Sequence, residues 1–167
     1  MSNSIDFIYK QLYSTFLIFT LIIIIISFFT KSNIQNKLHI AGYSAYCITI
    51  IIIIVSLIQN YYLQLNKISD IIPFSLILIC VLLHLYLLIT HQEKISSMNV
   101  SKDYYIFLFI SICITIFQIV ILINSNFEFI FENLSNIKKA VLNLTSIINI
   151  ISVVFIYSIL SLNITDG

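Results

Sequence analysis

The stretch Gln11-Leu-Tyr-Ser-Thr-Phe-Leu-Ile-Phe-Thr-Leu-Ile-Ile-Ile-Ile-Ile-Ser-Phe-Phe-Thr30 decides how this chain is read. It holds no charged residue and contains five consecutive isoleucines, Ile22 to Ile26. By local propensity that run favours a strand, because β-branched side chains suit a pleated surface. In hydrocarbon an open strand leaves its backbone groups unpaired, so only helices or closed barrels survive. Barrel strands need about ten residues of alternating polarity, and none is visible here. The stretch therefore reads as a membrane-spanning helix.

Four further uncharged stretches follow: Leu38 to Asn66, Ile71 to Gln92, Tyr104 to Phe127 and Ala140 to Thr165. A spanning helix needs about 20 mostly apolar residues at a rise of about 1.5 Å each. The expectation is an all-α, polytopic transmembrane helical bundle forming one integral membrane domain over 1–167. Its five spans run at about 12–30, 40–59, 71–90, 104–124 and 141–162. The fifth is the most polar, and the count drops to four if it fails to insert. The first resembles a signal peptide, but its apolar core exceeds the usual ~7–15 residues and no small-x-small cleavage site follows, so it is read as a retained span.

Composition agrees. Sixty per cent of residues are hydrophobic and 9% charged, against about 25% charged in an ordinary soluble domain. A net charge of +1 and the absence of arginine argue against nucleic acid, which needs a basic patch to neutralise phosphates. Isoleucine makes up about a quarter of the chain. Residues with AT-rich codons dominate, which points to an AT-rich genome such as that of an organelle, an endosymbiont or a parasite. Cys47, Cys80 and Cys113 fall on three different spans without a CxxC, so neither a disulfide framework nor a zinc site is expected. Each is read as a small buried hydrophobe.

The connections are short. Loop 1 is expected at Lys31–Lys37. Asp70 is placed to cap span 3, with Pro73 in its first turn, where a missing N–H costs little. Before the last span, Phe127, Ile130, Phe131, Leu134 and Ile137 alternate with Glu128, Glu132, Asn136 and Lys139. That amphipathic segment over 127–139 suits the membrane interface or the ends of the spans. Tyr13, Tyr43, Tyr61, Tyr62, Tyr104 and Tyr105 sit near span ends, as an aromatic belt at the headgroups would require. The lysines divide equally between the two sides (Lys10, Lys67, Lys138, Lys139 against Lys31, Lys37, Lys94, Lys102), so the positive-inside rule assigns no orientation.

Each span carries small or polar residues at helical spacing. Span 1 has Tyr13, Thr20 and Ser27; span 2 has Gly42, Ala45, Thr49 and Ser56, with Ala41 and Ala45 as a small-xxx-small pair. Span 4 has Ser111, Thr115 and Gln118; span 5 has Thr145, Asn149 and Ser152. Helices in lipid associate through close packing and interhelical hydrogen bonds, so these stripes should face protein as packing seams. The sharper alternative is a polar pathway for a small solute or a proton. Transporters usually place ionisable groups deep in their spans, and no Asp, Glu, Lys or Arg lies there. Span 3 aligns Cys80, His84 and His91 on one face. His84 is the one intramembrane candidate for holding a haem or quinone. It lacks a second imidazole at its depth; His39 is instead level with His91 at the interface, where a pair of the two would be exposed. No cofactor, metal or catalytic residue is expected, since no phosphate loop, HExxH or GxSxG is present.

Five short-looped spans in a chain this size resemble the plan of subunit 6 of the respiratory NADH dehydrogenase. That family carries a glycine-containing Tyr-Val-Gly-Ala-type run in its third span, whereas here the span reads Leu76-Ile-Leu-Ile-Cys-Val-Leu-Leu-His84. Membrane-embedded immunity proteins against bacteriocins are similar in length. The functional expectation is a non-catalytic structural subunit of a larger membrane complex, with the bilayer and other membrane subunits as partners. It is placed in an organellar inner membrane, with a bacterial inner membrane as alternative. A small oligomeric transporter or channel, an immunity-like binder and a diverged chain of the subunit 6 type are the alternative functions.

Overall fold

The structure is a computed structural model that describes residues 2–62, 68–96, 100–124 and 136–165. Its elements are α1 (Ser2–Ser27), α2 (Ser32–Tyr62), a single 3₁₀ turn (Ile68–Asp70), α3 (Ile72–Thr90), the short α4 (Gln92–Ser96), α5 (Lys102–Asn124) and α6 (Asn136–Thr165). No strand occurs among the described residues. The isoleucine run of α1 is helical throughout, as the backbone accounting in hydrocarbon requires.

Four stretches are long and apolar enough to cross a bilayer: Asn33–Gln59, Ile68–Thr90, Lys102–Ile123 and Asn136–Leu162. The apolar part of α1, Gln11–Ser27, is shorter and sits at the lower end of the ~17–25 residues that span. The protein is thus an integral membrane helical bundle. The fifth span is long enough on its own terms, and the short apolar segment is the first.

Several boundaries differ from the sequence reading. The expected loop 1 is largely helical, because α1 ends at Ser27 and α2 already starts at Ser32. Only a tight turn remains, closed by Phe28 N–H to Ile25 O and Phe29 N–H to Ile26 O. Nothing in Ser32-Asn-Ile-Gln-Asn-Lys37 breaks a helix, so the polar residues simply carry α2 further. Residues 136–139 of the expected amphipathic segment form the first turn of α6; its residues 127–135 lie outside the described ones.

Helix α1 packs mainly on α2, α2 also on α3, α3 also on α6, and α6 on α5, with α5 touching α1. The five long helices therefore close into a ring in the order α1, α2, α3, α6, α5. The interior holds Tyr13, Leu17, Ile24, Tyr46, Ile53, Phe74, Ile77 and Ile119, each essentially inaccessible. Isoleucines and phenylalanines such as Phe19, Ile22, Phe109, Phe117 and Phe155 face outward, where lipid is the solvent.

Helices α1 and α2 approach closely at Gly42. A Cβ there would meet Ile24 Cγ1 at 3.0 Å and Ile23 Cγ2 at 3.3 Å. Gly42, Ala45, Thr49 and Ser56 of the expected stripe are buried, whereas Ala41 is exposed, so the Ala41–Ala45 pair is not the packing contact. Three of the expected belt tyrosines, Tyr13, Tyr43 and Tyr104, turn into the bundle. Tyr62 and Tyr105 face outward; the Tyr61 side chain lies outside the description. Cys47 and Cys80 are buried, but Cys113 is exposed on the outer face of α5.

Asp70 does not cap α3. The N-cap position is Ile71, which receives no side-chain cap bond, and Pro73 occupies the first turn. The Asp70 carboxylate is buried and forms an ion pair with Lys139 at the start of α6.

Candidate functional site

The buried hydroxyls of α1 and α2 turn inward on their own helices. Thr20 Oγ1 donates to Phe16 O at 2.8 Å, Ser27 Oγ to Ile24 O at 2.6 Å, Thr49 Oγ1 to Ala45 O at 2.9 Å and Ser56 Oγ to Ile53 O at 2.9 Å. Such back-bonding satisfies the hydroxyl without tying helices together. Ser152 on α6 does the same with Ile148 O at 3.0 Å.

The polar residues of α5 and α6 behave differently. Ser111 Oγ donates to Asn149 Oδ1. Asn149 Nδ2 donates to Thr115 Oγ1 at 3.2 Å, and Thr115 Oγ1 donates to Ser111 O at 2.9 Å. One turn further along, Gln118 Nε2 donates to Thr145 Oγ1 at 3.0 Å and to Ser146 Oγ at 3.1 Å. Those hydroxyls donate to Val141 O and Leu142 O. The structure thus joins Ser111, Thr115, Gln118, Thr145 and Asn149 in one interhelical ladder. Ser146, fully buried, is a member the sequence reading missed. Its position one residue after Thr145 puts it within reach of the same Gln118 amide, which was the available signal.

His84 is fully buried and ends the ladder. Its Nδ1 lies 3.3 Å from Ser111 Oγ. A hydroxyl has a single proton, and Ser111 commits its own to Asn149. Ser111 therefore accepts from His84 Nδ1–H, which leaves Nε2 as the unprotonated nitrogen. The Tyr43 ring of α2 stacks on the imidazole with centroids 4.1 Å apart and planes at 28°. His84 Nε2 itself has no hydrogen-bond partner.

The other two histidines are not brought together. His91 meets the Tyr157 ring edge-on at 5.7 Å and contacts Thr90 Oγ1 at 2.9 Å through Nδ1. His39 is buried on α2 and lines a cavity of about 70 Å³ with Asn36, Tyr104, Gln35, Ile95, Tyr105 and Leu108. No group of three or more His, Cys, Asp or Glu gathers as a metal site among the described residues. A second cavity, of about 210 Å³, is an apolar groove between α3 and α6, lined by Leu83, Tyr86, Leu87, Val153, Val154 and Tyr157.

Compared with protein-family models, curated proteins and solved structures, the chain matches none of them.

Proposed function

We propose that this chain is a non-catalytic membrane subunit that works by packing against other membrane proteins. The observation that carries the reading is the α5–α6 ladder, in which amides and hydroxyls are spent on one another. A permeation path along this seam needs polar groups that face a cavity. Here the donors and acceptors are paired helix to helix, which supports a seam over a conducting pore. What remains for a partner is the outer surface, which is apolar on every long helix. The groove between α3 and α6 offers a neighbouring transmembrane helix a recess with Tyr86 and Tyr157 at its sides. In lipid, shape complementarity of this kind drives helix association.

The isoleucine-rich, arginine-free composition supports an AT-rich genome and, with it, an organellar energy-transducing membrane. Extraction in a mild detergent followed by native electrophoresis tests the reading. The tagged chain is expected to migrate with a much larger assembly and to carry other membrane subunits through affinity purification. Migration as a small species with no co-purifying partner overturns it. Ion or solute flux from the purified chain in proteoliposomes, lost on Gln118→Leu and Asn149→Leu, would establish the transporter alternative instead.

A further inference from the structure

Around the cavity of about 70 Å³, four buried polar atoms have no hydrogen-bond partner: Asn36 Nδ2 and Oδ1, His39 Nε2 and Tyr104 Oη. Their three side chains are at most 4% exposed. Tyr43, Tyr46 and His84 also carry partnerless polar atoms, but none of these three lines the cavity.

Helix α2 supplies Gln35, Asn36 and His39 to the lining, α4 supplies Ile95, and α5 supplies Tyr104, Tyr105 and Leu108. The cavity thus lies between α2 and α5, which are not neighbours in the ring order. His39 sits six residues past Asn33, where the spanning stretch Asn33–Gln59 begins. That is about 9 Å along the helix at 1.5 Å per residue.

Leaving such atoms unpaired is costly away from water, and buried water is the usual remedy where a site is polar and large enough. A volume of about 70 Å³ admits about two waters at ~30 Å³ each. We propose that this cavity is a binding site for two ordered waters that bridge α2 to α5.

The donors and acceptors fit that occupant. A buried water makes about three hydrogen bonds. One bond between the waters, and two from each to the protein, use all four atoms. The lining also favours water over an ion. Asn36 presents an N–H donor beside a carbonyl acceptor, the Tyr104 hydroxyl both donates and accepts, and His39 Nε2 does one or the other according to its tautomer. No charged residue lines the cavity. An anion would be repelled by Asn36 Oδ1 and a cation by Nδ2, whereas water bonds to both. In the α5–α6 ladder the chain's own side chains meet directly; between α2 and α5 water completes the contact. The site does not depend on the proposed subunit role, and its test is separate from the search for partners.

The experiment is water-edited solid-state NMR on the full chain in bilayers, with histidine and asparagine side chains labelled with ¹⁵N and ¹³C. The His39 ring and the Asn36 amide are expected to receive magnetisation from water roughly threefold faster than the His84 ring and the Asn149 amide, as groups bonded to ordered water should. His39→Gln and Asn36→Leu assign the signals. Filling the cavity separates bound water from mere nearness to the membrane surface. Ile95→Phe from α4 and Leu108→Phe from α5, made separately so that one misfolded variant does not decide the matter, are each expected to slow transfer to His39 by roughly half. Thermal midpoints in micelles give a second readout. Asn36→Leu and Tyr104→Phe each release water and strand the groups that remain, so the double variant is expected to lose less than the sum of the single losses. Transfer to His39 and Asn36 as slow as to His84 and Asn149, transfer unchanged in a folded cavity-filled variant, or strictly additive midpoint losses overturns the proposal.

Discussion

Asp70, in the 3₁₀ turn before α3, pairs with Lys139 in the first turn of α6, joining the starts of two helices 69 residues apart in sequence. Both groups sit at the same end of the bundle. The pair clamps α3 to α6 where residues 125–135, outside the description, separate α5 from α6.

Breaking that pair should be costly because its partner is left behind. The side chains are 5% and 16% exposed for Asp70 and Lys139. Removing one member of a fully buried pair costs about 3–5 kcal/mol, and the residual exposure of Lys139 reduces this. Asp70→Asn is expected to destabilise the bundle by about 1–3 kcal/mol, read as a lower thermal midpoint in detergent micelles. The exchange of Asp70→Lys with Lys139→Asp should recover part of the loss. An unchanged midpoint in Asp70→Asn would show that the pair contributes nothing.

The ladder makes a graded prediction. Asn149→Leu removes a donor and an acceptor that join α5 to α6, and interhelical hydrogen bonds in membranes are worth about 0.6 kcal/mol on average and at most about 1.7. A loss of about 1–2 kcal/mol is expected for this two-bond residue. Ser158→Ala, at an exposed hydroxyl bonded only to Val154 O, should stay within about 0.5 kcal/mol. Equal effects of the two substitutions would remove the ladder as a stabilising element.

At Gly42 two effects compete. Alanine gains about 1 kcal/mol of helix propensity over glycine, but its methyl group meets Ile24 at 3.0 Å, and Ile24 is itself fully buried. Gly42→Ala is therefore expected to be close to neutral. Gly42→Leu has no such balance and should cost about 1–3 kcal/mol by overpacking, with α1 displaced from α2. Cysteine cross-linking between α1 and α2 would register that displacement, and cross-linking as efficient as in the parent would contradict it.

His84 serves as a check on cofactor chemistry. His84→Phe keeps a ring against Tyr43 but abandons Ser111, so a loss of about 1 kcal/mol is expected from one neutral hydrogen bond. The purified parent protein should show no Soret absorption. A Soret band that disappears in His84→Phe would make His84 a haem ligand and overturn the non-catalytic reading.

Much of this architecture was legible before folding. Uncharged runs of spanning length named the solvent, and the solvent dictated helices even through Ile22–Ile26. The polar stripes on α5 and α6 marked residues that the structure joins by hydrogen bonds. Their partners were less legible. Ser152 belongs to the same stripe by spacing yet bonds only within its own helix, whereas Ser146 joins the ladder.

The amino-acid order alone determined that the chain is helical, that it lies in lipid and roughly where each crossing begins and ends, because these depend on local composition and length. Only the tertiary structure decided the departures from those stripes and the long-range pairs: Ala41 outward beside the buried Gly42, Tyr43 and Tyr104 toward the interior, and Asp70 onto Lys139 instead of capping α3. In water, polarity contrast marks a helix's buried face. In hydrocarbon both the interior and the surroundings are apolar, so only the stripes of small and polar residues mark a buried face, and shape complementarity between distant segments decides the rest.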